Sequence, residues 1–186
     1  MNGERIADAS LDSNASNASQ RFFGKYRGIV LNNVDPMQIA RIQVIVPDVS
    51  AVLPTSWAMP CLPVGGIQMG VVTVPQIGAG VWIEFEQGDS DYPVWVGSFW
   101  GSAAEVPILS HAAPPGLSAI TLQTTLQNGL IVSDLPGPTG GIMLKSATGA
   151  TLIVNDTGIY IQNGKGASIT MIGPTVTVNA GALTVI

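Results

Sequence analysis

The stretch WIEFEQGDSDYPVWVGSFWG, residues 82–101, places two aromatic-rich runs on either side of a short acidic segment. Runs of this composition are typical of β-strands. Gly88 and Asp89 are typical of a tight turn, because glycine adopts backbone angles closed to other residues and aspartate bonds to its own backbone. The stretch therefore predicts a hairpin with its turn at residues 86–92. Its aromatic residues would pack a core or a contact with neighbouring chains: Trp82, Phe85, Trp95, Phe99 and Trp100.

The overall composition is unusually apolar and poor in charge. Of 186 residues, 46% are hydrophobic, which is enough for a core in one domain or two small ones. Only 10% are charged, against about 25% in typical soluble domains, and the mean hydropathy is +0.39. Such a chain either enters a membrane or hides surface against other subunits. The net charge of −5 argues against nucleic acid as a partner.

Residues 57–83 carry no charge and are long enough to span a bilayer, but repeated Pro and Gly would interrupt a spanning helix. The first twenty residues lack the apolar core of a signal peptide, so the chain is expected in the cytosol at first. Cys61 is the only cysteine, which excludes an internal disulfide and a Cys-rich metal site. We expect no metal and no cofactor.

Residues 1–21, rich in Asn, Ser and Ala, predict a flexible arm. Residues 22–100 then contain short runs typical of strands, separated by turn residues. The five runs are YRGIVLN, ARIQVIVPD, GVVTVPQIG, GVWIEFEQG and YPVWVGSFW. Five short strands with no helical periodicity fit a small closed barrel, either an OB-fold or an SH3-like barrel.

Residues 101–119 are rich in Ala, Pro, Ser and Gly and predict a linker. From residue 120 onward, aliphatic residues come in pairs two positions apart, beginning with Ile120 and Leu122. A spacing of two places each pair on one face of a strand. A row of such strands needs other walls, from further coils of the same chain or from identical chains around an axis, and symmetric copies are the simpler solution. The predicted trimer core is Ile142, Leu144, Leu152, Val154, Ile159, Ile161, Ile169, Met171, Val176, Val178, Leu183 and Val185.

These two halves together resemble the central spikes of contractile injection machines: phage baseplate assembly protein V, the T4-type tail spike and the valine-glycine-repeat proteins of type VI secretion. The barrel resemblance covers about residues 22–100. It rests on GIV at 28–30, Asp35-Pro36 and RIQVIVP at 41–47. It rests further on Pro75, Gly78, Val81, Ile83, Phe85, Gly88, Asp89, Pro93, Val94 and Val96-Gly97-Ser98. The tail, SATGATLIVNDTGIYIQNGKGASITM, is similar to the β-helical needle of these spikes.

The resemblance implies an all-β protein with an N-terminal OB-fold barrel and a C-terminal trimeric, intertwined β-helix or β-prism needle over residues 120–186. It implies a non-enzymatic homotrimer in the virion tail baseplate, assembled in the bacterial cytoplasm. The spike would dock under a hub protein, close the tail tube and pierce the host outer membrane when the sheath contracts. No lysozyme-like insert or fused hub is expected. The last residues lack the His-x-His of metal-tipped spikes, so no tip metal is expected. A blunt end that exposes Leu183, Val185 and Ile186 from three chains suggests a PAAR-type tip cap.

Two other classes of function stay open at this point. An OB-fold module for oligosaccharide or single-stranded nucleic acid would need a basic groove, for which the barrel offers Lys25, Arg27 and Arg41. Ser110, His111 and Asp134 are triad residue types, but no G-x-S-x-G context surrounds them. Within the spike interpretation, a phage tail, a phage-derived bacteriocin and another injection particle are all compatible with the sequence.

Overall fold

The computed structural model describes residues 20–185. These residues form β-strands and short 3-10 turns, with no α-helix among them. No helix in this part of the chain is long and apolar enough to cross a membrane. The chain divides into two compact units between Gly101 and Ser102. The predicted arm, residues 1–21, lies outside the described residues except for its last two positions.

The described part of the first unit has seven strands, five of which form the ring of a barrel while the other two form a small separate hairpin. Its strands are β1 (Tyr26–Asn32), β2 (Gln43–Ile45), β3 (Met59–Pro60), β4 (Gly65–Gly66), β5 (Met69–Gly70), β6 (Gly80–Phe85) and β7 (Pro93–Phe99). The main sheet has the order β2-β1-β6-β7-β3, with β3 parallel to β7. The ring closes where Ile42 and Ala58 exchange two backbone hydrogen bonds of 3.2 and 2.8 Å. This closed five-strand order confirms the predicted OB-fold.

Alternate residues of the strands point into the barrel and form its core. In β6, Val81, Ile83 and Phe85 are buried, while Trp82 and Glu84 between them are only half-buried. Burying one such side chain contributes about 1.5–3 kcal/mol. The buried hydrophobic residues of this unit are Val30, Ile42, Val44, Val46, Ala58, Val81, Ile83, Phe85 and Trp95.

The five aromatic residues of the opening stretch divide between the core and the outer surface. Phe85 and Trp95 are buried. The pairing of β6 with β7 shifts between Trp82 and Ile83, so β7 carries one extra residue there. That bulge turns Phe99 outward, where its ring centroid lies 5.0 Å from that of Trp82. Trp100 is exposed.

The predicted strand over GVVTVPQIG, residues 70–78, is wrong. Only Met69–Gly70 pairs there, with β4 in a small separate hairpin. Val71 and Val72 are exposed and follow the hairpin as irregular chain. The fifth strand of the ring is β3 instead. It pairs parallel with β7 and takes the last place in the five-strand order, so the ring is complete without residues 71–78.

The second unit is a single eight-stranded antiparallel meander. Its strands are β8 (Ala119–Gln123), β9 (Gly129–Ser133), β10 (Gly141–Lys145), β11 (Thr151–Asn155), β12 (Gly158–Gln162), β13 (Ser168–Ile172), β14 (Thr175–Val178) and β15 (Leu183–Val185). Each strand pairs with its neighbours in sequence. The predicted all-β class, a barrel followed by a β-sheet domain, is confirmed. The intertwined β-helix and the exact domain boundaries stay predictions.

Short 3-10 turns precede the sheet, at Ala103–Glu105 and Ile108–Ala112. Both lie within the predicted linker. The N–H of Leu109 donates to Gln123 Oε1 of β8 (2.9 Å), and the Leu109 side chain lies against Gly129 of β9. The second of these turns therefore packs on the sheet.

Candidate assembly surface

The acidic connection between β6 and β7 is a compact turn. Its 3-10 turn spans Glu86–Gly88, and Gly88 has a φ of +76°. A Cβ on Gly88 would lie 3.0 Å from the Phe23 ring, so both the backbone angle and the neighbouring ring favour glycine. Asp89 Oδ1 accepts the N–H of Asp91 (3.1 Å). The side chain of Asp89 thus stabilises the turn by accepting a hydrogen bond from the turn backbone two residues later.

The predicted barrel-motif residues lie at the two ends of the β6–β7 hairpin. At the turn end these are Phe85, Gly88, Asp89 and Pro93, of which Phe85 and Pro93 face each other. At the other end these are Gly78, Gly97 and Ser98; Gly97 lies opposite Trp82 at the bulge and Gly78 donates its N–H to the Val30 carbonyl (2.8 Å). The positions of these residues favour a structural role in shaping the barrel.

A second ordered loop joins β1 to β2 and contains Asp35 and Arg41, for which the sequence alone predicts no contact. The buried carboxylate of Asp35 accepts hydrogen bonds from the N–H groups of Met37, Ile39 and Arg41 (2.9–3.2 Å). It also pairs with the Arg41 guanidinium (2.7 Å), which lies over the ring of Trp57. The Arg41 hydrogen bond, helped by the backbone donors, holds the pKa of Asp35 well below its usual range. In the sequence, this loop is marked by Asp35-Pro36 and Arg41-Ile42, which belong to the barrel motif.

The aliphatic pairs of the second unit are brought together in two columns across the sheet. Residues directly opposite each other in an antiparallel sheet project from the same face. Column one is Ile120, Val132, Ile142, Val154, Ile159, Met171, Val176 and Val185. Column two is Leu122, Leu130, Leu144, Leu152, Ile161, Ile169, Val178 and Leu183. We call this face the aliphatic stripe.

The stripe contains all twelve predicted trimer-core residues, although the side chain of Val185 lies outside what the structure describes. It also contains two further pairs, Ile120 with Leu122 and Leu130 with Val132, which have the same spacing of two but are not in the predicted core. Their packing about a threefold axis stays a prediction.

The aliphatic stripe is open to solvent within one chain. Ile120 and Leu122 are 61% and 60% exposed, and Ile142, Leu144 and Leu183 are exposed as well. Contiguous exposed apolar surface of this extent marks an interaction site in soluble proteins. The stripe therefore needs a partner.

The reverse face of the sheet differs from the stripe. Its central column is Thr121, Ile131, Met143, Ile153, Tyr160, Thr170 and Thr177, which is polar in its last strands. Ile131 is buried, and Leu109 lies on this face beside Gly129. The reverse face is thus covered within the chain at Ile131, while Ile120, Leu122, Ile142 and Leu144 of the stripe stay exposed.

The turns on one side of the sheet are short and held by side-chain oxygens. Ser146 Oγ accepts the N–H of Ala150 (3.0 Å), and Asn163 Oδ1 accepts the N–H of Ala167 (3.0 Å). A Cβ on Gly164 would lie 2.7 Å from the backbone of Gly149, so these two turns stack only because glycine is present. Fixed turns fix the register, which keeps the aliphatic pairs in columns.

The three barrel cations that a nucleic-acid or sugar groove would use are already engaged. Lys25 pairs with Glu84, and Arg41 pairs with Asp35. Arg27 lies over the Trp82 and Phe99 rings, at 5.3 and 5.1 Å from their centroids. These contacts do not favour the OB-fold binding module.

Two of the triad residue types, Ser110 and His111, lie in the 3-10 turn Ile108–Ala112, and Asp134 directly follows β9. Ser110 Oγ donates to the Pro107 carbonyl (2.6 Å), and His111 is exposed in the same 3-10 turn. Among residues 20–185, no cluster of three or more His, Cys, Asp or Glu is arranged to hold a metal ion. The absence of catalysis stays a prediction.

An OB barrel followed by an open β-sheet with an aliphatic stripe defines a structural protein that assembles through its C-terminal half. Residues 26–100 match the model of the type VI secretion system/phage-baseplate injector OB domain. Residues 119–184 match the phage baseplate V C-terminal trimerisation domain. Together the two matches cover more than half of the chain, and the protein belongs to the phage baseplate V family of injector spikes. No curated protein matches the chain.

Proposed function

We propose that the protein is the central spike of a contractile injection particle and acts mechanically, as a homotrimer without catalytic activity. The aliphatic stripe is the observation that carries this proposal. The match of residues 119–184 to a trimerisation domain supports it. In the trimer, three sheets face one another and the stripes form the core along the threefold axis.

The energetics favour such an assembly. Each aliphatic side chain removed from water contributes about 1.5–3 kcal/mol when it becomes fully buried, which is an upper estimate. The stripe offers two such side chains in every strand. Its edge strands β8 and β15 would also gain neighbours if the three chains intertwine as a β-helix or β-prism, which removes open sheet edges. The result is a stiff needle.

In this proposal the barrels dock under a separate hub protein and close the tail tube in the baseplate. The needle points at the host envelope and pierces it when the sheath contracts. A small cap of the PAAR type at the tip belongs to the same proposal. The particle is a phage tail or a related injection machine, assembled in the bacterial cytoplasm.

Light scattering on the purified protein tests the assembly. We expect a mass of about 58 kDa, three times the 19.2 kDa of one chain. Ile169→Lys places a charge in the stripe and should give a monomer, since three buried ammonium groups would lie close together. Thr170→Lys, on the opposite face of the same strand, should remain trimeric.

A monomeric natural protein would overturn the proposal, and so would equal effects of the two lysine substitutions. The baseplate role has its own test. Gold-labelled antibodies against this chain should mark the baseplate end of contractile-tail particles from the producing cells. Labelling of the sheath or capsid instead would contradict that role.

A further inference from the structure

One end of the barrel carries a large group of exposed apolar side chains. Because β3 runs parallel to β7, the segment that follows β3 leaves the barrel at the end where β7 finishes. It returns to β6 at Gly80. Ile67, at the tip of its hairpin, is 98% exposed. The other exposed hydrophobic residues of this segment are Val64, Met69, Val71, Val72 and Ile77.

The loop between β1 and β2 lies beside this segment. Asn33 Nδ2 donates to the Pro75 carbonyl (2.9 Å), which joins the two. The loop exposes Val34, Met37 and Ile39. The carboxylate of Asp35 fixes the loop backbone, so these apolar side chains are presented on a rigid frame. A preorganised apolar surface loses little conformational entropy when it binds.

This apolar end is almost without charge. Residues 57–83 contain no charged side chain, and the charges of Asp35 and Arg41 neutralise each other. The opposite end differs, since its loops carry Asp48, Glu86, Asp89 and Asp91. A neutral apolar surface can meet an identical surface without like-charge repulsion.

The chain leaves the barrel toward the second unit at this same end. The β7 strand finishes at Phe99, at the apolar end, and the first unit ends at Gly101. The second unit, which contains the trimerisation domain, begins at the next residue. Residues 102–118 join each barrel to the trimerisation domain, and the turn Ile108–Ala112 packs on the sheet, so three barrels in a trimer are held at a high effective concentration for one another.

We propose that the apolar end of the barrel, made of residues 33–41 and 61–79, is a second contact between copies of this chain. The hairpin around Ile67 of one barrel packs against the neighbouring barrel. This inference rests on the trimer of the proposed function. It adds a self-association surface to the OB domain, beyond the C-terminal trimerisation domain.

Hydroxyl-radical footprinting of the full chain tests this contact. Met37 and Met69 lie on the apolar end and are exposed in a single barrel, as is Tyr92 at the opposite end. In the trimer we expect both methionines to oxidise several-fold more slowly than in the monomeric Ile169→Lys variant. Tyr92 should react equally in both. Equal methionine rates in a trimer of about 58 kDa, three times 19.2 kDa, would overturn the contact and leave the spike proposal standing.

A matched pair of substitutions gives a second test that does not need the monomer. Ile67→Asp and Val52→Asp both replace an exposed residue, 98% and 77% exposed, at opposite ends of the barrel. Neither changes the core of one barrel. We expect Ile67→Asp to lower the melting temperature of the trimer by several degrees and Val52→Asp to leave it unchanged. No difference between the two variants would contradict the contact, and this end would then be free for a different protein.

Discussion

The barrel and the eight-stranded sheet use similar aliphatic residues but bury them differently. In the barrel, ring closure surrounds side chains such as Val44 and Ile83, which are fully buried within one chain. In the described part of the sheet unit, Ile131 is the only buried hydrophobic residue. An apolar sheet face is stable only when another layer covers it. The same alternating pattern therefore makes a finished core in one unit and an interface in the other.

The largest expected loss of stability comes from a substitution in the barrel core, which is complete within one chain. Ile83→Ala should lower the free energy of unfolding of the barrel by about 2–5 kcal/mol, because it leaves a cavity among fully buried neighbours. Denaturant titration followed by tryptophan fluorescence measures it, since Trp95 lies in this core. The loss should not depend on protein concentration. A concentration-dependent loss would mean that the barrel core is not complete within one chain.

The matched substitution in the aliphatic stripe should lower stability by less, and its effect should depend on protein concentration. Ile142 is exposed within one chain, so Ile142→Ala creates no cavity until three chains meet. We expect a loss of about 1–2 kcal/mol per chain, seen as weaker trimer formation at low protein concentration. Sedimentation at a series of concentrations measures it. A loss that is the same at every concentration would remove the distinction between the two regions.

Alanine substitutions at two glycines of the barrel distinguish the cost of backbone strain from the cost of a packing clash. Gly78 and Gly88 have φ of +87° and +76°, but only Gly88 has a neighbour, Phe23, where a Cβ would go. Gly78→Ala should cost about 1 kcal/mol through the backbone alone. Gly88→Ala should cost more, because the ring must also move. Thermal unfolding of both variants checks the order, and equal losses would show that the Phe23 contact is unimportant.

The smallest expected effect concerns pH. The pKa of Asp35 is lowered in the folded chain, so its ionised form stabilises the fold above the unfolded-chain pKa of about 4. This stabilisation declines as the pH falls below that value toward the folded pKa. Asp35→Asn should therefore melt a few degrees lower at pH 7, and the gap should narrow below pH 4. A gap that is constant from pH 7 to pH 3 would contradict the ion pair with Arg41.

Much of this fold can be predicted from the sequence because strand signals are local. In the predicted strand ARIQVIVPD, Ile42, Val44 and Val46 stand at alternate positions, and all three are buried. The spacing of two in the C-terminal half correctly predicts strands and the residues that share a face. The predicted strand at residues 70–78 fails because valines and threonine satisfy a strand pattern whether or not a partner strand is available.

Contacts that depend on residues distant in the sequence could not be predicted from the sequence. The Asp35 and Arg41 partnership depends on a loop that folds back over Trp57. The outward direction of Phe99 depends on a bulge against β6, one strand away. Neither feature can be predicted from the residue types at those positions alone.

The sequence by itself determined which side chains share a strand face and where the chain turns, because both depend on neighbours within a few residues. The tertiary structure decided which strands meet: the bridge from Ile42 to Ala58 that closes the barrel, and the register that aligns the aliphatic pairs in two columns. Backbone hydrogen bonds between strands are the same for every sequence. Pairing is therefore chosen by the fold as a whole, through ring closure in the first unit and fixed turns in the second.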